Sequence, residues 1–332
     1  MKNLICLGIE STAHTFGIGI ITEKGRILAN AIDAHRTEKG GLVPDDLRSH
    51  HNKVKSKVLQ YALEQAKISL DKIDLVSFSQ GPGIAPSLLV GLKFAKEIAS
   101  KARLPLVGVN HCCAHLEIGR LLTKAKDPLL LYPSGANTQV IAYDGGKYRV
   151  FGETLDQGVG NFIDSFARYA GLGFPGGPKI EKLALSGKNY IELPYVVKGM
   201  DVSFSGILTN LKHKYDSKKY AVEDLAYSLQ ETVFAMLVEV SERAMAHCGK
   251  SELVLGGGVA CNKRLQEMCR IMCEERGAKF FAPPNEVLID NGLMISWLGI
   301  LQQNEAETDY NSIDIKPYER TDDVAVKWSP NH

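Results

Sequence analysis

No stretch of this chain stays apolar long enough to cross a membrane, which takes about 20 consecutive residues in a helix. The opening, MKNLICLGIE, is apolar only from Leu4 to Ile9 before Glu10 interrupts it. That is short for a secretory signal and fits a first strand, so a cytoplasmic location is expected. Net charge is nearly absent as well, at +1. No global field draws the chain to nucleic acid or anionic lipid, and any nucleic acid has to be held by local patches or partner subunits. The cysteines are odd in number, seven, with no CxxC pair. They read as reduced thiols of a cytosolic protein.

What is present is a chain of 332 residues, 45% hydrophobic and 23% charged, the balance of a soluble protein with two domains of ordinary size. Its first third opens with a short apolar run, a polar turn ESTAHT, a run from Phe16 to Ile21, a turn EKG and a third run RILANAID. From Leu129 the same order returns: LLLY, the polar tip PSGANT, QVIAY, the turn DGG and KYRVFGETLD. This repeat predicts two related lobes, each opening with a β-meander whose first hairpin tip is small and polar, a shape that can present backbone N–H groups to an anion. Helical and buried-strand patterns then alternate. His51 to Ala66, the segment after GPGIAPS, and stretches near 160–171, 178–187, 222–247, 261–276 and 293–301 read as helices. IDLVSFS, LPLVGV, ELVLGGG and KFFA read as strands between them. Interleaving of this kind predicts α/β lobes. The tail after about 303 reads as polar.

Three places could carry chemistry. Asn110 follows a strand and suits a helix N-cap. His111 and His115 then share one helix face and can chelate a divalent metal. The intervening position 112 is Cys112, so the HExxH glutamate of zinc peptidases is missing. Further ligands must come from elsewhere. Asp290 in IDNGLM and Tyr132 at a strand end are the candidates, against the ordinary roles of turn former and core aromatic. GGGVACN, at 256–262, is a strand-to-helix turn where backbone can approach a flat or charged ligand, but it is neither GxGxxG nor a P-loop. GFPGGPKIEKL, at 173–183, is a second Gly/Pro loop ahead of a helix, and Asp164 with Arg168 stands at the spacing of a helical ion pair.

Taken together and in order, GIESTAHTFGIGI, FSQGPG, GVNHCCAHLEIGR, SGANTQVIAY, GETLDQGVGN, GFPGGPKIEKLA, KGMDVSFSG, GGGVACNKRL, DNGLMI and RTDDVAVKW closely resemble the tRNA threonylcarbamoyladenosine transferase family. The likeness runs essentially end to end and is strongest to the archaeal and eukaryotic branch, the catalytic subunit of the KEOPS complex. It implies the two-lobed α/β fold of actin, sugar kinases and heat-shock ATPases with an interlobe cleft. Lobe I is then expected over 1–126 plus 295–332, and lobe II over 127–294. It implies transfer of the threonylcarbamoyl group from L-threonylcarbamoyl-adenylate to N6 of adenosine 37, in tRNAs reading codons that begin with A, with release of AMP. It implies one divalent metal, iron by resemblance with zinc or magnesium as alternatives, on His111, His115, Tyr132 and Asp290. The adenylate is expected on Tyr132, Pro133, Ser134, Gly135, Ala136, Asp164, Gly177, Glu181 and Asn262, and Glu10 is the candidate general base. Expected partners are tRNA, an atypical small kinase, a small dimerising subunit and a further accessory subunit, with no membrane.

The chain departs from the family pattern in its second hairpin, where Pro133 and Ala136 replace a small or β-branched residue and a glycine, and at Ser11, which replaces a glycine in the first. Those departures keep a non-catalytic scaffold as the alternative to the enzyme. A metallopeptidase is the more distant one.

Overall fold

A computed structural model describes residues 3–37 and 43–328. The chain begins with a meander, β1 (Ile5–Glu10), β2 (Thr15–Thr22) and β3 (Ile27–Ala34). Next come α1 (Pro44–Ala66), β4 (Leu75–Gly81), α2 (Ala85–Ala102), β5 (Leu106–Asn110) and α3 (His111–Thr123). A second meander follows, β6 (Leu129–Pro133), β7 (Thr138–Asp144) and β8 (Lys147–Glu153). It leads into α4 (Val159–Tyr169), α5 (Gly177–Ala184), the small ribbon β9 (Val197–Lys198) and β10 (Asp201–Val202), then α6 (Ser205–Asp216) and α7 (Val222–Cys248). The chain closes with β11 (Glu252–Leu255), α8 (Lys263–Glu275), β12 (Lys279–Phe281), the single turn α9 (Asn285–Leu288) and α10 (Gly292–Leu301).

The backbone separates into two compact units. The first gathers Met1–His35, Leu42–Leu122 and Asp290–Pro330, and the second is chiefly Thr123–Ile289. Each holds a five-stranded sheet, ordered β3-β2-β1-β4-β5 in the first and β12-β11-β6-β7-β8 in the second. The two orders correspond. In both, an antiparallel meander is extended by parallel strands beyond its first strand, so the duplication visible in the sequence is a duplication of topology.

In the first unit the strand faces bury Leu7, Ile9, Phe16, Ile18, Ile20 and Phe78. The return to this unit comes at Asp290 rather than at 295, because α10 lies directly on the sheet. Glycines allow that approach. A Cβ on Gly8 would overlap the Ser296 backbone, one on Gly19 the Leu293 nitrogen, and one on Gly292 the Gly19 nitrogen. Helix and sheet backbones therefore touch, and the turn just ahead of α10 is fixed with them.

In the second unit α7 is the central packing element. It buries Leu225, Leu229, Val233, Met236, Leu237 and Val240 in a core shared with the β6–β7 face, α4 and α8. Cys269 and Cys273 lie in this core on α8, as packing residues. The ribbon β9–β10 and the turn α9 are absent from the sequence reading, and two longer helices differ from it. Helix α1 begins at Pro44, not His51, with proline in the first turn and Asp45 and Asp46 beside the helix N-terminus. Helix α6 is absent from the sequence reading, although Phe204, Ile207, Leu211 and Tyr215 recur at helical spacing and pack into the core. Asp156 holds its start, accepting from Ser203 Oγ and the Phe204 and Ser205 backbone N–H groups. Burial opposes that carboxylate's charge, yet those hydrogen bonds outweigh it and hold its pKa well below the ordinary range.

Candidate metal and nucleotide sites

The first site is built on the start of α3. Asn110 ends β5 and turns its side-chain oxygen onto the Cys112 and Cys113 N–H groups, at 3.0 and 3.2 Å. This N-cap starts the helix at His111. One face then carries His111 and His115, both buried, with ring centroids 4.8 Å apart. Cys112 and Cys113 point into packing and are buried. Burial and the neighbouring thiol and carboxylates raise the Cys113 pKa well above its ordinary value.

Asp290 meets the histidines. Its Oδ1 lies 3.4 Å from His111 Nε2 and 3.3 Å from His115 Nε2. Sequence left open whether Asp290 merely caps the next helix. It does not: Asn291 is the N-cap of α10, accepting from Met294 N at 3.0 Å. Burial opposes charge on Asp290, but the two imidazoles outweigh it and hold the carboxyl well below its usual range. Burial lowers the His115 pKa, against the pull of Asp290, so the ring is neutral near pH 7 with a lone pair to offer.

The donor types, two imidazole nitrogens and a carboxylate oxygen, suit a metal ion. Ligand atoms about 2.1 Å from a common ion at near-tetrahedral angles stand about 3.4 Å apart, and the two nitrogen–oxygen spacings match. The three ligand atoms all lie within 4.8 Å of one another, and among the described residues this is the one such cluster of three or more. Two imidazoles and one carboxylate suit iron or zinc better than magnesium, which prefers oxygen.

Glu10, expected as a general base, lies fully buried at the end of β1. One oxygen accepts from Thr12 N at 2.6 Å and Thr12 Oγ1 at 2.5 Å. The other faces His111 Nδ1 at 3.0 Å. A carboxylate only accepts, so Nδ1 carries the proton and Nε2, on the Asp290 side, is left as the donor to an ion. Ser11, the departure in this hairpin, is fully buried, and its hydroxyl has no hydrogen-bond partner among the described residues. Its N–H bonds Ser79 Oγ at 3.0 Å, and Gly91 of α2 leaves room for its hydroxyl, which a Cβ there would overlap.

The second unit holds the residues expected around an adenylate. Tyr132 is buried on β6. After Pro133 the hairpin tip is closed by Ser134, whose N–H and hydroxyl both donate to the Asn137 carbonyl, at 2.8 and 2.9 Å. The tip rests on the start of α4: Gly160 N donates to Ser134 O and Asn161 N to Gly135 O, both at 3.0 Å. Gly158 and Gly160 permit this, since a Cβ on either would press into the tip. The residues with positive φ do not include Ala136. Glycine is therefore not needed there, and neither departure opens the hairpin.

Three expected polar residues tie loops together. Asp164 on α4 accepts from Gly176 N at 2.7 Å, fixing the loop that starts α5 at Gly177. Glu181 on α5 accepts from Lys263 N at 2.7 Å. Asn262 caps α8 through its oxygen, bonded by Arg264 N and Leu265 N, and donates to Gln230 at 2.6 Å. They hold α4, α5, α7 and α8 in one frame around Gly177, where a Cβ would meet nothing. Gln230, mid-way along α7, was missed in the sequence because its apolar neighbours mark it only as core.

Comparison with known proteins identifies the family. Residues 26–297 match the family TsaD, tRNA N6-adenosine threonylcarbamoyltransferase. A protein of that name from Thermococcus kodakarensis is 56% identical over 326 residues, 98% of this chain and 100% of the relative. One from Thermococcus gammatolerans is 55% identical over 98% of this chain and 100% of its own length. A Methanocaldococcus jannaschii protein named "Probable bifunctional tRNA threonylcarbamoyladenosine biosynthesis protein" is 49% identical over 98% of this chain, which spans 60% of it. Among solved structures, HypF of T. kodakarensis superposes with a TM-score of 0.65 at 15% identity, covering 92% of this chain and 48% of that one. This likeness concerns the fold alone, the α/β fold of actin, sugar kinases and heat-shock ATPases. The chain belongs to the tRNA N6-adenosine threonylcarbamoyltransferase family.

Proposed function

We propose that this transferase moves the threonylcarbamoyl group of L-threonylcarbamoyl-adenylate onto N6 of adenosine 37, in tRNAs reading codons that begin with A, with release of AMP, working in a KEOPS-type complex. The observation that carries the proposal is the convergence of His111 Nε2, His115 Nε2 and Asp290 Oδ1, with His111 held from behind by Glu10, in a chain of this family.

These three residues hold a divalent cation, iron or zinc by their chemistry, and Tyr132 is retained as a fourth donor on the family resemblance alone. A cation bound there supplies Lewis acidity to the threonylcarbamoyl carbonyl and orients it. Glu10 sets the His111 tautomer rather than acting as general base, since its oxygens already serve Thr12 and His111. The backbone of the Ser134–Ala136 tip and of Gly177 receives the adenylate. Asp164, Glu181 and Asn262 keep those loops in place and offer polar atoms to its ribose and base. The anticodon loop is single-stranded, so its adenine is presented without melting a duplex. The atypical small kinase, the small dimerising subunit and the accessory subunit complete tRNA binding, which a chain of net charge +1 does not support by long-range attraction.

The scaffold alternative rests on Pro133 and Ala136; the tip closed by Ser134 and the ordinary φ of Ala136 favour the enzyme over it. The metallopeptidase alternative has no base beside the histidine pair at position 112. The test supplies the purified chain with L-threonylcarbamoyl-adenylate, a tRNA transcript and its partner subunits, then reads digested nucleosides by mass. Modified adenosine made by the native chain and lost in His111→Ala is expected. Turnover restored only by Pro133→Val with Ala136→Gly would establish the scaffold instead.

A further inference from the structure

We infer that the C-terminal segment after α10 positions the metal helix α3, with Glu319 and Trp328 as its positioning residues. This rests on the metal reading of His111, His115 and Asp290. The segment reads as a polar tail, yet it is laced onto the first unit. Glu307 and Leu106 exchange both backbone hydrogen bonds at 2.9 Å, continuing beside β5. Tyr310 OH reaches Leu104 O at 2.6 Å. Gln80 Nε2 donates to Asp314 O at 2.6 Å, and Lys316 N returns to Gln80 O at 2.8 Å. A Cβ at Gly81 would overlap the Lys316 carbonyl, so the segment is seated against the β4 loop.

It then grips α3 at two points. Glu319 Oε2 accepts from Asn110 Nδ2 at 3.2 Å, while the other end of that same carboxamide caps α3. Glu319 therefore sets the plane of the cap one residue before His111. Further along, Trp328 Nε1 donates to Glu117 Oε1 at 2.6 Å, and Arg120 closes on both Glu117 oxygens at 3.1 and 3.0 Å. Glu117 and Arg120 lie on the side of α3 away from the two histidines. The helix is thus fixed from its cap and from behind, while its front faces Asp290. Asp290 stands at the other end of the same 290–330 segment. One stretch of chain supplies the third ligand and orients the helix that carries the other two. Ligand sets respond to such outer contacts by about 10–100-fold in metal affinity.

The test is Co(II) binding by the full chain, read by its visible absorption and by the dissociation constant, alongside the thermal midpoint without metal. Glu319→Ala is expected to weaken Co(II) about tenfold and shift the absorption band. Glu319→Gln, which keeps an acceptor for Asn110, stays within about threefold of native. Trp328→Phe, which keeps the ring and loses the N–H, weakens it by a lesser factor. Unchanged affinity in Glu319→Ala and Trp328→Phe, with only the thermal midpoint lowered, would overturn the inference and leave the segment a stabilising strap. Equal loss in Glu319→Ala and Glu319→Gln would overturn it as well. If the native chain itself takes up no Co(II), the metal reading of the site fails first, and this inference with it.

Discussion

Replacing Glu10 by Gln tests the site at its least exposed point. Glu10 is fully buried, with one oxygen taken by two donors of Thr12 and the other by His111 Nδ1. A carboxamide offers one acceptor and one donor in place of two acceptors. If its oxygen faces Thr12, its amine faces His111 Nδ1 and pushes the proton to Nε2, which then has no lone pair for an ion. If its oxygen faces His111, the amine confronts two Thr12 donors in a buried place. Either way one charge-assisted hydrogen bond is lost or inverted, about 1.5–3 kcal/mol. If that loss falls on the metal-competent tautomer, affinity drops about 10- to 100-fold. Titration of the metal-free protein with Co(II), followed by calorimetry, measures it. The Glu10→Gln protein should bind at least tenfold more weakly while retaining native far-ultraviolet circular dichroism. Affinity within twofold of native would refute the tautomer argument, and with it the assignment of Glu10 to positioning.

Other expectations follow from the same geometry. Gly19→Ala places a Cβ against the Leu293 nitrogen, which α10 cannot yield without moving Asp290, so a loss of about 3 kcal/mol is expected in urea unfolding; a change under 1 kcal/mol would contradict the helix-on-sheet packing. His51 is buried against Phe16 beside His50, and burial first, then the His50 charge, lowers its pKa from 6.5 to about 4. A base with a depressed folded pKa gives stability that is full above about 6.5 and lost as pH falls toward about 4, since the unfolded chain binds the extra proton. Native protein should therefore lose about 2 kcal/mol from this residue between pH 7 and 5, and His51→Leu should show that much less pH dependence in the same interval. Glu181→Ala removes the acceptor of Lys263 N and should weaken AMP binding several-fold by calorimetry with a small effect on Co(II); the opposite pattern would sever Glu181 from the nucleotide frame.

How much of this could be read beforehand depends on what each residue needs. The meanders were legible because strand alternation and polar tips are local, and their repetition in topology follows from local pattern alone. The His111–His115 pair was legible as a spacing, while Asp290, 175 residues further on from His115, could be named from its turn only as a candidate, and the pairing with the histidines came from family resemblance. Asp290 and Asn291 illustrate the limit. Both are good caps by type, and only the seating of Gly292 on Gly19 decides that Asn291 caps and Asp290 turns to the histidines. Glu10 shows the same limit in reverse. Its place in the first hairpin was evident, but a role in catalysis or in positioning depends on which atoms its oxygens meet, and no one-dimensional pattern contains that. The segment from Glu307 to Trp328 was the least legible, since it folds by backbone pairing and isolated anchors instead of an apolar period. Binary patterning detects elements that bury a face. It passes over a strap held by a few hydrogen bonds, one of them to the residue that caps a helix, and here that helix carries two of the three converging side chains.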